Sequence, residues 1–421
     1  MTLGHVTTEM KTLAQAAKRA SRAVSVATTS QKNQALSAMA SQVRAHSPAI
    51  RSANALDVET ATAAGKNAAF IDRLLLDEQR VEAMASAIDQ LVLLDDPIGE
   101  VTQTWRRPNG LEVRKVRLPL GVVMMIYESR PNVTAEASAL ALKAGNAIVL
   151  RGGSEARGSN LAIAAVIGDA LESSGLPRDA AQVIPFTDRD AVRALVQQSE
   201  FVDLAIPRGG ESLIRFVTEN ARVPVVQHYK GVCHLFVDAG ADVAMAVRLT
   251  VDGKLSRPGV CNALECLLVD ASDAARLLPP IAMALLAGGC ELRGDERTCA
   301  LVPEAIAAKE LDWGHEFLEK VIAVRVVDGL EGALDHVGRY GSGHTESICT
   351  NDDAHAARWR REVDAACVVV NASSRFHDGG ELGLGAEIGI ATSRLHWRGP
   401  MGLEALTTMK WILDGEGQTR A

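Results

Sequence analysis

From about residue 120 onward, short apolar runs alternate with helical stretches, and nothing else in the chain limits its fold as strongly. The runs "GVVMMIY", "NAIVLRGG", "AQVIPF", "VDLAIPRGG" and "VPVVQ" come first, most of them separated by helical segments. From about residue 230 a second series begins: "CHLFVD", "ALECLLVD", "VIAVRVVD", "ESICTND" and "ACVVVNAS", again alternating with helices such as "DVAMAVRLTVDG" and "ALDHVGRYG". Parallel neighbours need a long crossover, usually a helix, so strand and helix in turn predict a parallel, doubly wound sheet. Two such series in 421 residues predict two α/β domains, since a chain of this length exceeds one compact core.

Two pieces lie outside this pattern. The first hundred residues are alanine-rich, with apolar positions three and four apart in "MKTLAQAAKRASRAV" and "NQALSAMASQV", which predicts helices. The segment "WRRPNGLEVRKVRLP" carries an Asn-Gly hairpin signal, and the tail "LHWRGPMGLEALTTMKWIL" returns after the second series; together they are expected to form a small oligomerisation arm. A net charge of −8 argues against a nucleic-acid partner, which needs a basic surface. The longest apolar run, "LLPPIAMALLAGG", is short and broken by prolines, so no membrane span is expected. Seven cysteines without a CxxC pair, and a beginning without the order of a secretory signal, place the protein in the cytoplasm.

Two cysteines five residues apart contrast in their surroundings. Cys266 sits in the apolar run "ALECLLVD", where a thiol is usually a small hydrophobe, whereas Cys261 follows Pro258, Gly259 and Val260 in a turn. Lys254 and Arg257 bring positive charge nearby in sequence, which would favour a thiolate nucleophile at Cys261. A base would have to come from His228, His234, His344 or His377, and sequence does not choose among them. In "YESRPNVTAEASALALKAGNAIVLRGGSEA" a strand ends in Arg151, Gly152 and Gly153 before a helix opened by Ser154 and Glu155. That pattern suits either a phosphate site or a tight structural turn, and it is not a GxGxxG motif. Asn132 could donate to a developing oxyanion or simply form a turn. His228, Cys233 and His234 lie close in sequence without a second cluster, so no metal is expected.

Together with "RPGVCNALECLLVD", "RYGSGHTESICTND" and "VVVNASSRFHDGGELGLGAEIGIATSRLHWRGPMGLEALTTMKWI", these stretches resemble the aldehyde dehydrogenase superfamily. They are most similar to its branch that reduces L-glutamyl 5-phosphate to L-glutamate 5-semialdehyde, the second step of proline biosynthesis. The resemblance implies an aldehyde-dehydrogenase-like fold, NADPH as cofactor, a homo-oligomer, and glutamate 5-kinase as a partner. It implies a discontinuous NADP-binding domain of residues 1–103, 119–229 and 375–394, a catalytic domain of 230–374, and an arm of 104–118 and 395–421. Position by position, it implies Cys261 as nucleophile and Asn132 as oxyanion donor. Arg151, Gly152, Gly153, Ser154, Glu155, Gly209, Gly210 and Glu316 become the cofactor set; Arg130 and Arg257, each beside one of the catalytic positions, and His344 are the residues expected at the substrate. Oxidising members activate water with a glutamate in Glu-Leu-Gly-Gly; here no acid lies between Val225 and Val237, which suits a reductase. Another acyl phosphate or aldehyde as substrate, or a non-enzymatic scaffold, are the rival expectations.

Overall fold

The computed structural model describes residues 3–186, 188–227 and 229–420. The chain divides into two compact units, Met1–Gln227 with Leu384–Gly389 and Met401–Ala421, and His228–Gly383 with Ile390–Pro400.

The first unit opens with five helices, α1 (Leu3–Val24), α2 (Thr29–Ala45), α3 (Ser47–Ala63), α4 (Ala68–Leu74) and α5 (Glu78–Leu93). Thr28, Asn67 and Asp77 start three of them by accepting the backbone N–H three residues on. Helical periodicity then sets which face is covered: Val81, Met84, Ala85, Ile88 and Leu91 form the buried stripe of α5. The hairpin strands β1 (Val101–Arg106) and β2 (Glu112–Pro119) follow, turning at Gly110, whose φ of 88° favours glycine. The core sheet is built from β3 (Val122–Tyr127), α6 (Asn132–Lys143), β4 (Ala147–Arg151), α7 (Arg157–Ser173), β5 (Ala181–Val183), α8 (Arg189–Val196), β6 (Leu204–Arg208) and α9 (Glu211–Asn220). Its four strands are parallel in the order β5-β4-β3-β6. Every residue of β3 is buried, the pattern of a strand covered on both faces. Val122, Met124, Ile126, Ala147 and Val149 pack against Val6, Met10, Ala14 and Ala17 of α1.

In the second unit come β7 (Cys233–Val237), α10 (Val243–Leu255), β8 (Leu264–Asp270), α11 (Ala274–Ala287), β9 (Glu291–Gly294), α12 (Glu296–Leu301), β10 (Ile306–Ala307), β11 (Val321–Val327), α13 (Gly329–Tyr340), β12 (Thr345–Cys349), α14 (Asp353–Glu362) and β13 (Cys367–Val370). Seven parallel strands lie in the order β10-β9-β11-β8-β7-β12-β13. Alternation along β8 sorts the two faces: Leu267 and Val269 join Leu277, Ile281 and Leu285 of α11, while Cys266 and Leu268 join Leu330 and Ala333 of α13 and Trp359 of α14. Short strands β14 (Ile390–Ala391) and β15 (Gly399–Pro400) pair antiparallel, and β16 (Thr407–Asp414) returns to the first unit to pair with β2.

Three details differ from expectation. "VPVVQ" is not a strand: only Val225 bridges Ala205, and Pro224 has no N–H to extend a ladder. The four-residue strand β9, "ELRG", carries too little apolar pattern to be seen in sequence. Residues 375–383 and 390–400 pack with the second unit, because Asn262 Nδ2 donates to the carbonyls of Arg375 and His377 while Arg394 and Arg398 pair with Asp364.

Candidate active site

In the first unit the residues of interest gather at the carboxyl ends of β3 and β4. Asn132 opens α6, half-buried, and its Nδ2 donates to Glu136 Oε1 at 3.0 Å one helical turn on. Burial pushes the Glu136 carboxyl up, partly offset by the Asn132 amide. An amide nitrogen carries two hydrogens, so Glu136 orients the Asn132 group and leaves one to donate elsewhere. Behind it, Tyr127 Oη meets Thr134 Oγ1 at 2.6 Å and Thr134 Oγ1 donates to Asn160 Oδ1 at 2.9 Å. Asn160 explains the first glycine of the "RGG" turn, since a Cβ on Gly152 would lie 2.0 Å from its Nδ2. At Gly153 a Cβ would meet Glu155 Oε2 at 2.9 Å. Glu155 itself accepts from Ser154 Oγ at 3.2 Å and from Lys66 Nζ at 3.4 Å.

The positive end of α7 is not the phosphate cradle that the turn suggests in sequence. Asp57 occupies it, with Oδ1 3.2 Å from Gly158 N and Oδ2 2.7 Å from Ser159 N. Glu128 plays the same part at α9, accepting from Gly210 N at 3.1 Å, and a Cβ on Gly209 would lie 2.6 Å from that carboxylate oxygen. The turns at 151–155 and 208–211 are therefore close-packed, with room only for glycine at 152 and 209. Arg130 is exposed on the turn before Asn132.

In the second unit Cys261 is partly exposed on the turn between α10 and β8, and that turn is clamped from several sides. The Cys261 carbonyl accepts from Cys233 Sγ at 3.2 Å. Asn262 reaches the Arg375 and His377 carbonyls at 3.3 and 3.1 Å, while Ser374 Oγ donates to the Asn262 carbonyl at 2.7 Å. Gly231 packs so closely that a Cβ there would lie 2.1 Å from the Cys261 carbonyl oxygen. Its N–H donates to Glu316 Oε1 at 2.9 Å, which brings Glu316 beside the Cys261 turn. Arg257 is exposed on that same turn. Cys266, by contrast, is fully buried in β8.

Lys254 does not lend its charge to Cys261 as its position in sequence suggests. Its Nζ lies 2.6 Å from Glu265 Oε2, both side chains fully buried, and burial pushes the Glu265 carboxyl up to about 7 against the pull of Lys254. Among the candidate histidines, His228 lies outside the described residues. His344 is fully buried, with Nδ1 3.6 Å from Cys233 Sγ and 2.7 Å from Thr345 Oγ1, so it braces the Cys261 turn through Cys233 and presents no surface to a substrate. His377 meets the other side of Thr345 Oγ1 at 2.7 Å, and burial holds it down to about 4, hence neutral. His234 pairs with Glu346 Oε2 at 2.8 Å; burial opposes its charge, but Glu346 lifts it to about 10.

His234, Cys266 and His336 bring one ligand atom each within 4.8 Å of one another. The donor set nevertheless argues against a metal. Arg325 NH1 lies 3.1 Å from His336 Nδ1, and a guanidinium can only donate, so the ring hydrogen sits on Nε2, pointing at Cys266 Sγ 3.6 Å away. Asp57, Glu136, Gly231, Asn262 and Ser374 were not visible as site residues in sequence, and Cys233 was weighed only as a metal ligand; of these only Asn262, adjacent to Cys261, carried a signal.

Among the described residues no helix is long and apolar enough to cross a membrane. Residues 5–298 match the aldehyde dehydrogenase family. Over 416 residues, 98% of this chain and 97% of the relative, the sequence is 59% identical to the gamma-glutamyl phosphate reductase of Sorangium cellulosum. It is 52% identical over 412 residues to that of Geobacter metallireducens, covering 98% and 99% of the two chains. The crystal structure of the Thermotoga maritima gamma-glutamyl phosphate reductase aligns with a TM-score of 0.97 at 44% identity, over 98% of this chain and all of that one. An acetylating aldehyde dehydrogenase from Geobacillus thermoglucosidasius shares the fold at 18% identity and a TM-score of 0.69, over 100% and 99% of the two chains. Likeness of that degree, sustained over nearly the full length, makes the chain an oxidoreductase of the gamma-glutamyl phosphate reductase family within the aldehyde dehydrogenases.

Proposed function

We propose that this chain catalyses the NADPH-dependent reduction of L-glutamyl 5-phosphate to L-glutamate 5-semialdehyde and phosphate, through a thioester on Cys261. The observation that carries this is the partly exposed Cys261 on a turn clamped by Cys233, Asn262, Ser374 and Gly231, in a chain 59% identical to a named reductase of this substrate. The Cys261 thiolate attacks the acyl carbon, the S–C bond forms, and the C–O bond to phosphate breaks, so that phosphate leaves with the electron pair. Asn132, oriented by Glu136, is assigned the role of donating its remaining amide hydrogen to the carbonyl oxygen as that oxygen gains charge. When bound, the cofactor supplies the hydride that reduces the thioester. The Cys261 sulfur then departs as thiolate and releases the aldehyde, and Asn132 again steadies the oxyanion.

Arg151, Gly152, Gly153, Ser154, Glu155, Gly209 and Gly210 would hold the cofactor, since they lie at the carboxyl ends of parallel strands, where open α/β sheets bind dinucleotides. Glu316, which accepts the Gly231 N–H beside the Cys261 turn, would take the nicotinamide ribose, and Arg151 is the residue that would read a 2′-phosphate. Arg130 and Arg257 would meet the anionic groups of the substrate. A cytoplasmic homo-oligomer, assembled through the sheet β1-β2-β16, is supported by Trp105 and Trp411, 37% and 57% exposed and in edge contact at 5.4 Å. A glutamate 5-kinase is the partner that would hand over so labile an acyl phosphate. The reverse reaction tests the proposal: glutamate 5-semialdehyde and phosphate should drive NADP⁺ reduction, and a folded enzyme that fails to do so would overturn it.

A further inference from the structure

A cavity of about 240 Å³ opens at the carboxyl end of β11, lined by Arg325, Arg297, Asp328, Asp335, His336 and Tyr340 among others. Cys261 stands before the amino end of β8, the parallel neighbour of β11, so the cavity lies roughly 20 Å away at the opposite end of the sheet. Helices on opposite faces flank it: α12 precedes β11 and α13 follows it. Open α/β sheets bind ligands in this kind of crevice, outside the carboxyl ends of their strands.

The charges that line it are unequally satisfied. Arg297 is paired with Asp328 at 2.6 Å, and Arg339 with Glu310 at 3.2 Å. Among the described residues Arg325 makes no ion pair: its Nη1 is 3.1 Å from His336 Nδ1, its guanidinium lies 5.3 Å from the Trp313 ring centre, and its other side-chain partner is the Tyr340 hydroxyl. Burial, with the nearby cations His234 and Arg325, holds His336 down to about 2, so the ring is neutral and brings no charge to the cavity. Asp335, which also lines the cavity, is exposed and has no ion pair among the described residues. One guanidinium and one carboxylate, neither matched by an opposite charge, thus face a space that would hold about eight waters.

We propose that this cavity binds a small zwitterion of the α-amino-acid class, with its carboxylate on Arg325 and its ammonium group on Asp335. A guanidinium fork suits a carboxylate in two parallel hydrogen bonds, and an isolated carboxylate suits an ammonium group. A dianion such as phosphate could pair with Arg325 but would leave the Asp335 carboxylate facing it, whereas a zwitterion matches both groups. The volume admits amino acids of modest size.

The test is titration of the full chain with each of the twenty L-amino acids, followed by calorimetry. The tightest binder is then compared with its two halves, the corresponding carboxylic acid without the amino group and the amine without the carboxyl group. At least one amino acid should bind saturably, with either half at least tenfold weaker. Arg325→Gln and Asp335→Asn should each weaken binding tenfold or more while leaving the melting temperature and semialdehyde oxidation near wild type. Absence of saturable binding by all twenty, equal affinity for the carboxylic acid alone, or undiminished binding in both folded variants would each overturn the proposal; the last would put the amino acid in the substrate site.

Discussion

Gly231→Ala is the substitution whose consequence can be worked most directly from the geometry. The added Cβ would lie 2.1 Å from the Cys261 carbonyl oxygen and 2.7 Å from both its carbonyl carbon and its Cα. All three are backbone atoms, so no side chain can swing aside. A normal contact with that oxygen requires a separation of at least about 3.2 Å, so the Cys261 backbone, or the strand entry at Gly231, must move by about 1 Å. Displacement of that size in a reacting group costs about a hundredfold in turnover. It also strains the Cys233 bond to the Cys261 carbonyl and the Gly231 bond to Glu316, and an unmade buried hydrogen bond costs about 1–3 kcal/mol. The assay is phosphate-dependent NADPH formation from semialdehyde and NADP⁺, read beside the rate of Cys261 alkylation and the melting temperature. Gly338→Ala is the matched control: nothing lies within 4 Å of its Cβ, and it sits inside α13, where alanine is the better helix former by about 1 kcal/mol. A folded Gly231→Ala enzyme with turnover within twofold of wild type would refute the claim that this contact sets the position of the nucleophile.

Cys261→Ser should abolish turnover while leaving the fold and cofactor binding intact, whereas Cys266→Ser, buried in β8, should lower the melting temperature and spare activity; substantial turnover by Cys261→Ser would mean another nucleophile. Asn132→Ala should reduce kcat about a hundredfold, the cost of one oxyanion donor, and an effect confined to KM would make Asn132 a positioning residue instead. Arg151→Ala should weaken NADPH more than NADH in a fluorescence titration, and equal losses would exclude it as the reader of the 2′-phosphate. Semialdehyde oxidation should depend on phosphate or arsenate, because general-base assistance to water is typically worth about a hundredfold to ten-thousandfold and is absent from the "HYKGVC" stretch. Sustained phosphate-free formation of glutamate would contradict this and would require a base elsewhere in the site.

The two sheets were readable in sequence because buried parallel strands are continuous apolar runs, and β3, β4, β7 and β8 all have that texture. The hairpin was readable because Asn109-Gly110 is a turn with a backbone reason. What escaped was whatever depends on contacts between distant segments. Lys254 looks like a free cation beside Cys261 until β8 folds back and sets Glu265 against it. The "RGGSEA" turn looks like a phosphate cradle until Asp57, a hundred residues earlier, takes the helix N–H groups. His344 looks like a ligand or base until β12 buries it beneath Cys233. In each case local chemistry was read correctly and its partner was invisible, since charge and hydrogen-bonding capacity are local while their satisfaction is not.

The same distinction bears on how Cys261, the proposed nucleophile, is held. Cys261 has few neighbours in sequence that restrain it, and its turn is instead fixed by groups spread from Gly231 to His377. Most of these act on backbone atoms: Cys233 and Gly231 on the Cys261 carbonyl, Ser374 on the Asn262 carbonyl. The side chain of Asn262 closes the ring by bonding to the carbonyls of residues 375 and 377. Backbone clamps fix where the sulfur starts without occupying it, which would leave the thiol able to take on and release an acyl group, as proposed, while its support stays unchanged. The proposed thioester would need such a support, because a loosened turn would admit water at the carbon that is meant to wait for hydride.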